Sequence, residues 1–233
     1  MQNNWDFFLK IHQKKLSLHI DMKRYLLVAI LLVVVAAVCF FALRDNSRVV
    51  HVRVEIDSTA LRSGDLLFRN GMGNESLVVT STSRGEYSHV GIAIATPGGW
   101  MAVHAVPGES AEGEPEYVKC EPIGVFFGRD RAQAGAVVRI DCNDSTAMAA
   151  ALAAMEKVRD KVVFDNSYDM DDTTELYCTE LVRLCYMRQG IDLSDDRSIP
   201  VPGVGTSGRI VFPEHLWRSP HITNKNVFKR INY

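Results

Sequence analysis

Apolar residues fill every position of one early stretch and only short bursts elsewhere. The early stretch, 25–43, reads YLLVAILLVVVAAVCFFAL and carries no charge. As a helix its 19 residues span roughly 28 Å, close to the hydrocarbon thickness of a bilayer. With no polar face to turn toward water, it predicts a transmembrane anchor or signal segment rather than a core helix. Further along, short β-branched and apolar runs bounded by Gly, Pro or Asn predict strands over 65–69, 89–95, 100–106, 118–127 and 136–140. The TPGG sequence at 96–99 turns the second strand into the third, and the acidic stretch 108–116 (GESAEGEPE) reads as a solvated loop. Two helices stand out. The first, over 145–160, is filled with Ala, Leu and Met and capped by Asp144 or Ser145. The second, over 174–190, stops at Gly190, and its Cys178, Leu181, Val182 and Cys185 recur at i, i+3, i+4 and i+7. Strands in succession with helices grouped elsewhere predict an α+β domain.

Charge orients the apolar run. Lys10, Lys14, Lys15, Lys23 and Arg24 precede it against only Asp6 and Asp21, which keeps 1–24 cytoplasmic and places the chain beyond residue 44 outside. Met22 opens a basic stretch leading into the run, so 1–24 is either a cytoplasmic or an untranslated leader. The run exceeds the usual length of a signal-peptide core, which favours a retained anchor over a secreted product. A lipoprotein reading would use Cys39, but Val38 stands where a small residue is needed. Residues 44–60 form a tether and 61–228 the domain, on the periplasmic or extracellular face. The whole chain has 26 basic and 28 acidic residues; removing 1–43 takes away five and two, leaving 21 against 26. Such a balance argues against a nucleic-acid partner. Five cysteines in 233 residues are too few for a disulfide scaffold.

Cysteine is the strongest nucleophile among the side chains, and Cys178 falls near the start of the second helix. Free backbone N–H groups and the helix dipole there would lower its pKa and hold an oxyanion. Its spacing equally suits a core position shared with Cys185. A thiol nucleophile needs a base. His89 and His104 lie on strands joined by the TPGG turn, so one can take the proton while the other orients it. The remaining histidines, His12, His19, His51, His215 and His221, sit in the leader, tether or tail. Zinc is the rival chemistry, but neither HExxH nor another tight ligand pair is present, and no Gly-rich phosphate loop occurs. No metal or cofactor is expected.

SGDLLF (63–68), YSHVGI (87–92), VHA (103–105) and YCTELV (177–182), in that order, resemble the YiiX-like permuted papain-fold hydrolases. These are relatives of NlpC-type cell-wall peptidases and of lecithin–retinol acyltransferase. The likeness covers about 60–225, including FPEHLWRSPHI (212–222). It implies a circularly permuted papain-like α+β domain with an antiparallel sheet and a nucleophile-bearing helix, the histidine preceding the cysteine. Carried over by position, Cys178 is the nucleophile, His89 the base and His104 the third, polar member. A neutral His in that third place, where Glu is common, implies a weaker thiolate–imidazolium pair. Asp65 shapes a loop near the cleft, Tyr87 is a hydroxyl donor near the oxyanion, and Tyr177 flanks the nucleophile. The resemblance implies a membrane-tethered cysteine hydrolase outside the cytoplasm, cleaving a peptidyl or N-acyl amide such as cell-wall peptide. An acyltransferase or thioesterase using the same pair, or an inactive peptide- or lipid-binding module, are the alternatives.

Overall fold

The computed structural model describes residues 57–228. The apolar run 25–43, the leader and most of the tether lie outside the described residues. Among the described residues no helix is long and apolar enough to cross a membrane.

A six-stranded antiparallel sheet organises the domain. In chain order its strands are β1 (Leu66–Asn70), β2 (His89–Thr96), β3 (Gly99–His104), β4 (Lys119–Pro122), β5 (Ala134–Ile140) and β8 (Ile222–Phe228). Across the sheet they run β4-β3-β2-β1-β5-β8. Two two-residue strands, β6 (Ile199–Pro200) and β7 (Arg209–Ile210), pair separately. The helices are α1 (Asn74–Ser83), α2 (Ile123–Phe126), α3 (Asp144–Arg159), α4 (Cys178–Met187) and α5 (Pro213–Trp217).

Three expected elements change. The strand expected over 118–127 stops at Pro122, which has no N–H for the ladder, and the chain turns into α2. The helix expected over 145–160 is capped by Asn143, whose side-chain oxygen accepts from the Thr146 N–H at 2.9 Å, not by Asp144 or Ser145. Most relevant to chemistry, the helix expected from 174 begins at Cys178. The Asp172 carboxylate takes the Thr174 N–H at 2.8 Å, the Leu176 N–H bonds to the Val163 carbonyl at 3.0 Å, and Tyr177 is extended. Those bonds keep 172–177 out of the helix and put Cys178 at its first turn. The tail does more than cover: β8 extends the sheet beside β5.

Both faces of the sheet are buried. Leu66, Phe68, Val90, Ile92 and Val103 pack in one core with Ala150 and Ala154 of α3 and Leu181 and Val182 of α4. Leu67, Ala93 and Ala102 pack in a second with Phe126 and Phe127. Strand alternation sends His89 and His104 to the Phe126 side, where both rings touch that phenyl group.

Two glycines permit close approach. Gly64 has φ +96°, and a Cβ there would lie 2.5 Å from the Ala147 carbonyl of α3. A Cβ on Gly91 would lie 2.9 Å from the Val103 carbonyl and 3.0 Å from the His104 Cβ. Gly91→Ala is therefore expected to push β3 from β2 at His104, costing roughly 1–3 kcal/mol of stability, read by thermal unfolding. A variant as stable as the wild type would show that the strands accommodate the methyl group freely.

Candidate active site

Cys178 opens α4, with Tyr177 as its extended N-cap residue. Backbone N–H groups of Val90, Thr179 and Cys178 itself face the sulfur. A cleft of about 580 Å³ is lined by Cys178, His89, Ser88, Tyr177, Tyr168 and Arg69 among others, so the cysteine and histidine share one cavity. The second histidine stands behind the first: His89 Nε2 and His104 Nδ1 are 2.9 Å apart. On its far side His104 Nε2 lies 3.1 Å from Glu121 Oε1. His104 is fully buried and His89 nearly so. Arg69, directly opposite His89 in the β1–β2 register, lays its guanidinium on the Phe126 ring at 4.6 Å. It also pairs with Glu109.

Residues 60–224 match the family described as permuted papain-like amidase enzyme, YaeF/YiiX, C92 family. The chain belongs to this family. Among solved structures it is similar to the crystal structure of metalloprotein YiiX from Escherichia coli O157:H7. The TM-score is 0.55 at 18% identity, over 73% of this chain and 97% of that one. That likeness supports the fold. No curated protein matches the chain.

The electrostatics of this YaeF/YiiX-type amidase differ from the lowered thiol expected of a helix N-terminus. Desolvation pushes the Cys178 thiol up to about 11, outweighing the three N–H groups and Arg69, which act in the opposite direction. Burial holds His89 well below its ordinary value, and the positive charges of Arg69 and Lys119, with His104, push the same way. His104 falls to about 4, mainly through burial, against the opposing pull of Glu121. Both shifts favour the neutral forms, thiol and imidazole, although Cys178 is only half-buried and borders the open cleft. Burial wins because the half-charges of a helix end are weaker than the loss of water around a sulfur anion.

The other residues singled out from the sequence are dispersed. Tyr177 borders the cleft, and its hydroxyl accepts from the Val211 N–H at 3.3 Å. Tyr87 is buried against Phe68 and Trp217, does not line the cleft, and its hydroxyl has no partner among the described residues. It sits apart from the oxyanion role expected of it: Tyr87 precedes β2 and packs into the core on the α3–α4 side of the sheet, away from the Phe126 side that His89 faces. Asp65 is fully buried, accepting from the Arg62 N–H at 2.8 Å and from Arg139 at 2.9 and 2.7 Å. It ties the entry of β1 to β5 and lies outside the cleft lining. Cys120 and Cys142 are free thiols. Cys120 lies on β4 and Cys142 just beyond β5, four strand steps or about 19 Å across the sheet, too far for a bridge.

Sequence reasoning missed Glu121, Arg69, Glu109 and Arg131. The loop at 108–116 is not simply solvated: Glu109 also binds Lys119 at 2.8 Å and Arg131 at 2.7 Å. Only the alternation of β4, which puts Glu121 on the His104 face, hinted at any of these. Ligand atoms of His104, Glu109 and Glu121 lie within 4.8 Å of one another, a spacing compatible with a metal ion. Their carboxylates already face Arg69, Lys119 and Arg131, however. Three cations against two carboxylates make this cluster an ion-pair network unsuited to a divalent cation.

Proposed function

We propose that this amidase is a cysteine hydrolase in which Cys178 attacks an amide carbonyl and His89 moves the proton. The observation that carries this reading is the shared cleft: Cys178 and His89 line one cavity, and His104 Nδ1 lies 2.9 Å from Nε2 of His89. As the sulfur bonds to the carbonyl carbon, the thiol proton passes to His89. The developing oxyanion is served by N–H groups at the start of α4. The amine then leaves with the proton from His89, and a thioester remains on Cys178. Water, deprotonated by His89, attacks that thioester; the carboxylic acid departs and the thiol is restored. His104 orients His89 throughout. A neutral starting pair makes the histidine a general base during attack rather than half of a preformed ion pair.

The reading extends to place and substrate. The uncharged run 25–43 and the basic residues before it support a membrane tether with the domain on the outer face. The substrate is a peptidyl or N-acyl amide, with cell-wall peptide the favoured source given that location. YiiX is described as a metalloprotein, but the chemistry proposed here runs on side chains, since the acidic cluster behind His104 is engaged by cations. Acyl transfer to an acceptor other than water is favoured by one feature, the apolar lip. Met72, 45% exposed, and Val79 of α1 border the cleft.

The test incubates the purified full chain with a panel of N-acyl and peptidyl amides, with or without an added amine acceptor. Intact-mass spectrometry then looks for an acyl group on the Cys178 peptide. An adduct in the wild type and none in Cys178→Ala is the expected result. Turnover that survives in Cys178→Ala would sink the reading, and a silent panel with no adduct would favour the binding module. The acid side of the pH profile has a predictable sign. His89 must be unprotonated to accept, and its pKa lies well below the ordinary 6.5. Activity is therefore expected to persist below pH 6.5 and to fall only as pH drops through that lowered value. An acid limb at or above 6.5 would contradict the buried, cation-flanked base.

A further inference from the structure

The proton positions along the histidine pair follow from a single carboxylate. His104 is faced by His89 from β2, by Arg69 from β1, and by Glu121 and Lys119 from β4. The adjoining loops bring Glu109 and Arg131 to the same cluster, and Phe126 of α2 packs on the ring. Glu121 is held as a carboxylate, down at about 2, by the His104 hydrogen bond together with Lys119 and Arg131, the last at 3.0 Å, against the effect of burial. A carboxylate only accepts. His104 Nε2, 3.1 Å away, must therefore carry the proton.

His104 is neutral, so its Nδ1 is bare and accepts from His89 Nε2–H across 2.9 Å. His89 is neutral as well, which leaves His89 Nδ1 bare. Of the four ring nitrogens, it alone is unprotonated and without a hydrogen-bond donor from the relay. We propose that Glu121 is a positioning residue that sets this series of tautomers, presents His89 to Cys178 as a base, and balances its charge when the proton arrives. The inference rests on the reading of Cys178 and His89 given above. In the step itself the thiol proton moves to His89 Nδ1, the electron pair of the S–H bond stays on sulfur, and the protons on Nε2 of both rings stay where they are. Glu121 gains no proton; its negative charge stabilises the imidazolium through His104.

A purely structural role, as one half of the Arg131 ion pair, predicts something different. The measurement is nitrogen NMR of the histidine rings in the full chain, assigned with His89→Ala and His104→Ala. In the wild type both rings are expected to carry the proton on Nε2. Glu121→Gln keeps the shape of the side chain, but its amide can turn an N–H toward His104 and reverse the series, so a mixture of tautomers is expected. Acylation of Cys178 should slow about 10- to 100-fold with it. Glu121→Asp, which keeps the charge, should recover part of that rate. A proton on His89 Nδ1 in the wild type, or identical tautomers in wild type and Glu121→Gln, would overturn the inference. The tautomers are read without turnover. Failure of the acyl-adduct experiment would therefore remove the hydrolase reading while leaving this result to be judged on its own.

Discussion

Cys178→Ala is expected to lower kcat/KM on any amide substrate by roughly ten-thousandfold to a millionfold, about 5–8 kcal/mol of transition-state stabilisation. The loss is large because Cys178 is the one thiol among the described residues that line the cleft, and the lining hydroxyls of Ser76, Ser88 and Ser110 are weaker nucleophiles. His89→Ala should fall in the same range, and the double variant should be little worse than either alone, since sulfur and base act as one unit. His104→Ala is expected to cost less: it frees the His89 ring without removing the proton acceptor. This ordering is checked by steady-state kinetics on the three single variants and the Cys178–His89 pair. Fully additive losses in the double variant would mean that the two residues act in separate steps. Alkylation by iodoacetamide gives a second view. With the thiol up at about 11, labelling should be slow at pH 7 and climb through the alkaline range, even in an enzyme that hydrolyses amides at neutral pH.

The second large effect concerns stability. Glu180, two residues beyond Cys178, is 4% exposed, and one of its carboxyl oxygens has no partner among the described residues. Burial, with Asp165 and Asp172 nearby, raises it from about 4.5 to about 8, while the Tyr177 N–H and Arg183 pull in the other direction. Arg183 is itself engaged by Asp192 at 3.0 Å. A folded-state value above the unfolded one means that stability is fully present below about pH 4.5 and is lost as pH rises through about 8. At about 1.4 kcal/mol per unit, the loss by pH 9 is on the order of 3–5 kcal/mol. Glu180→Gln keeps the shape and removes the ionisation. Its melting temperature should exceed that of the wild type at pH 9 and nearly match it at pH 5. An equal difference at both pH values would show that Glu180 ionises without cost in the fold.

Much of the scaffold is readable from the chain because its signals are local. Short apolar bursts with turn residues at their ends define β1, β2, β3 and β5, and they match the observed strands closely because alternation and Gly/Pro punctuation need no distant partner. β8 was not legible: 222–228 reads ITNKNVF, polar enough to pass for a tail, and becomes a strand only because the edge of β5 is free to pair. The start of α4 was not legible either. Thr174, Glu175 and Leu176 suit a helix, and only the Asp172 side chain and the Val163 carbonyl, contacts made by the folded chain, hold them out of it.

The candidate site divides in the same way. Residue identity and order along the chain determined the family and nominated Cys178, His89 and His104 as candidates, because motifs such as YSHVGI and YCTELV are contiguous. The tertiary structure decided which polar groups surround them. Glu121 meets His104 across two strands, Arg69 meets His89 across another two, and Glu109 arrives from a loop that its composition alone marks as solvated. It also decided the direction in which the Cys178 thiol and the His89 imidazole are shifted. A helix N-terminus favours a thiolate by a fixed and local amount, whereas desolvation depends on everything packed around the sulfur and so exists only in the folded domain.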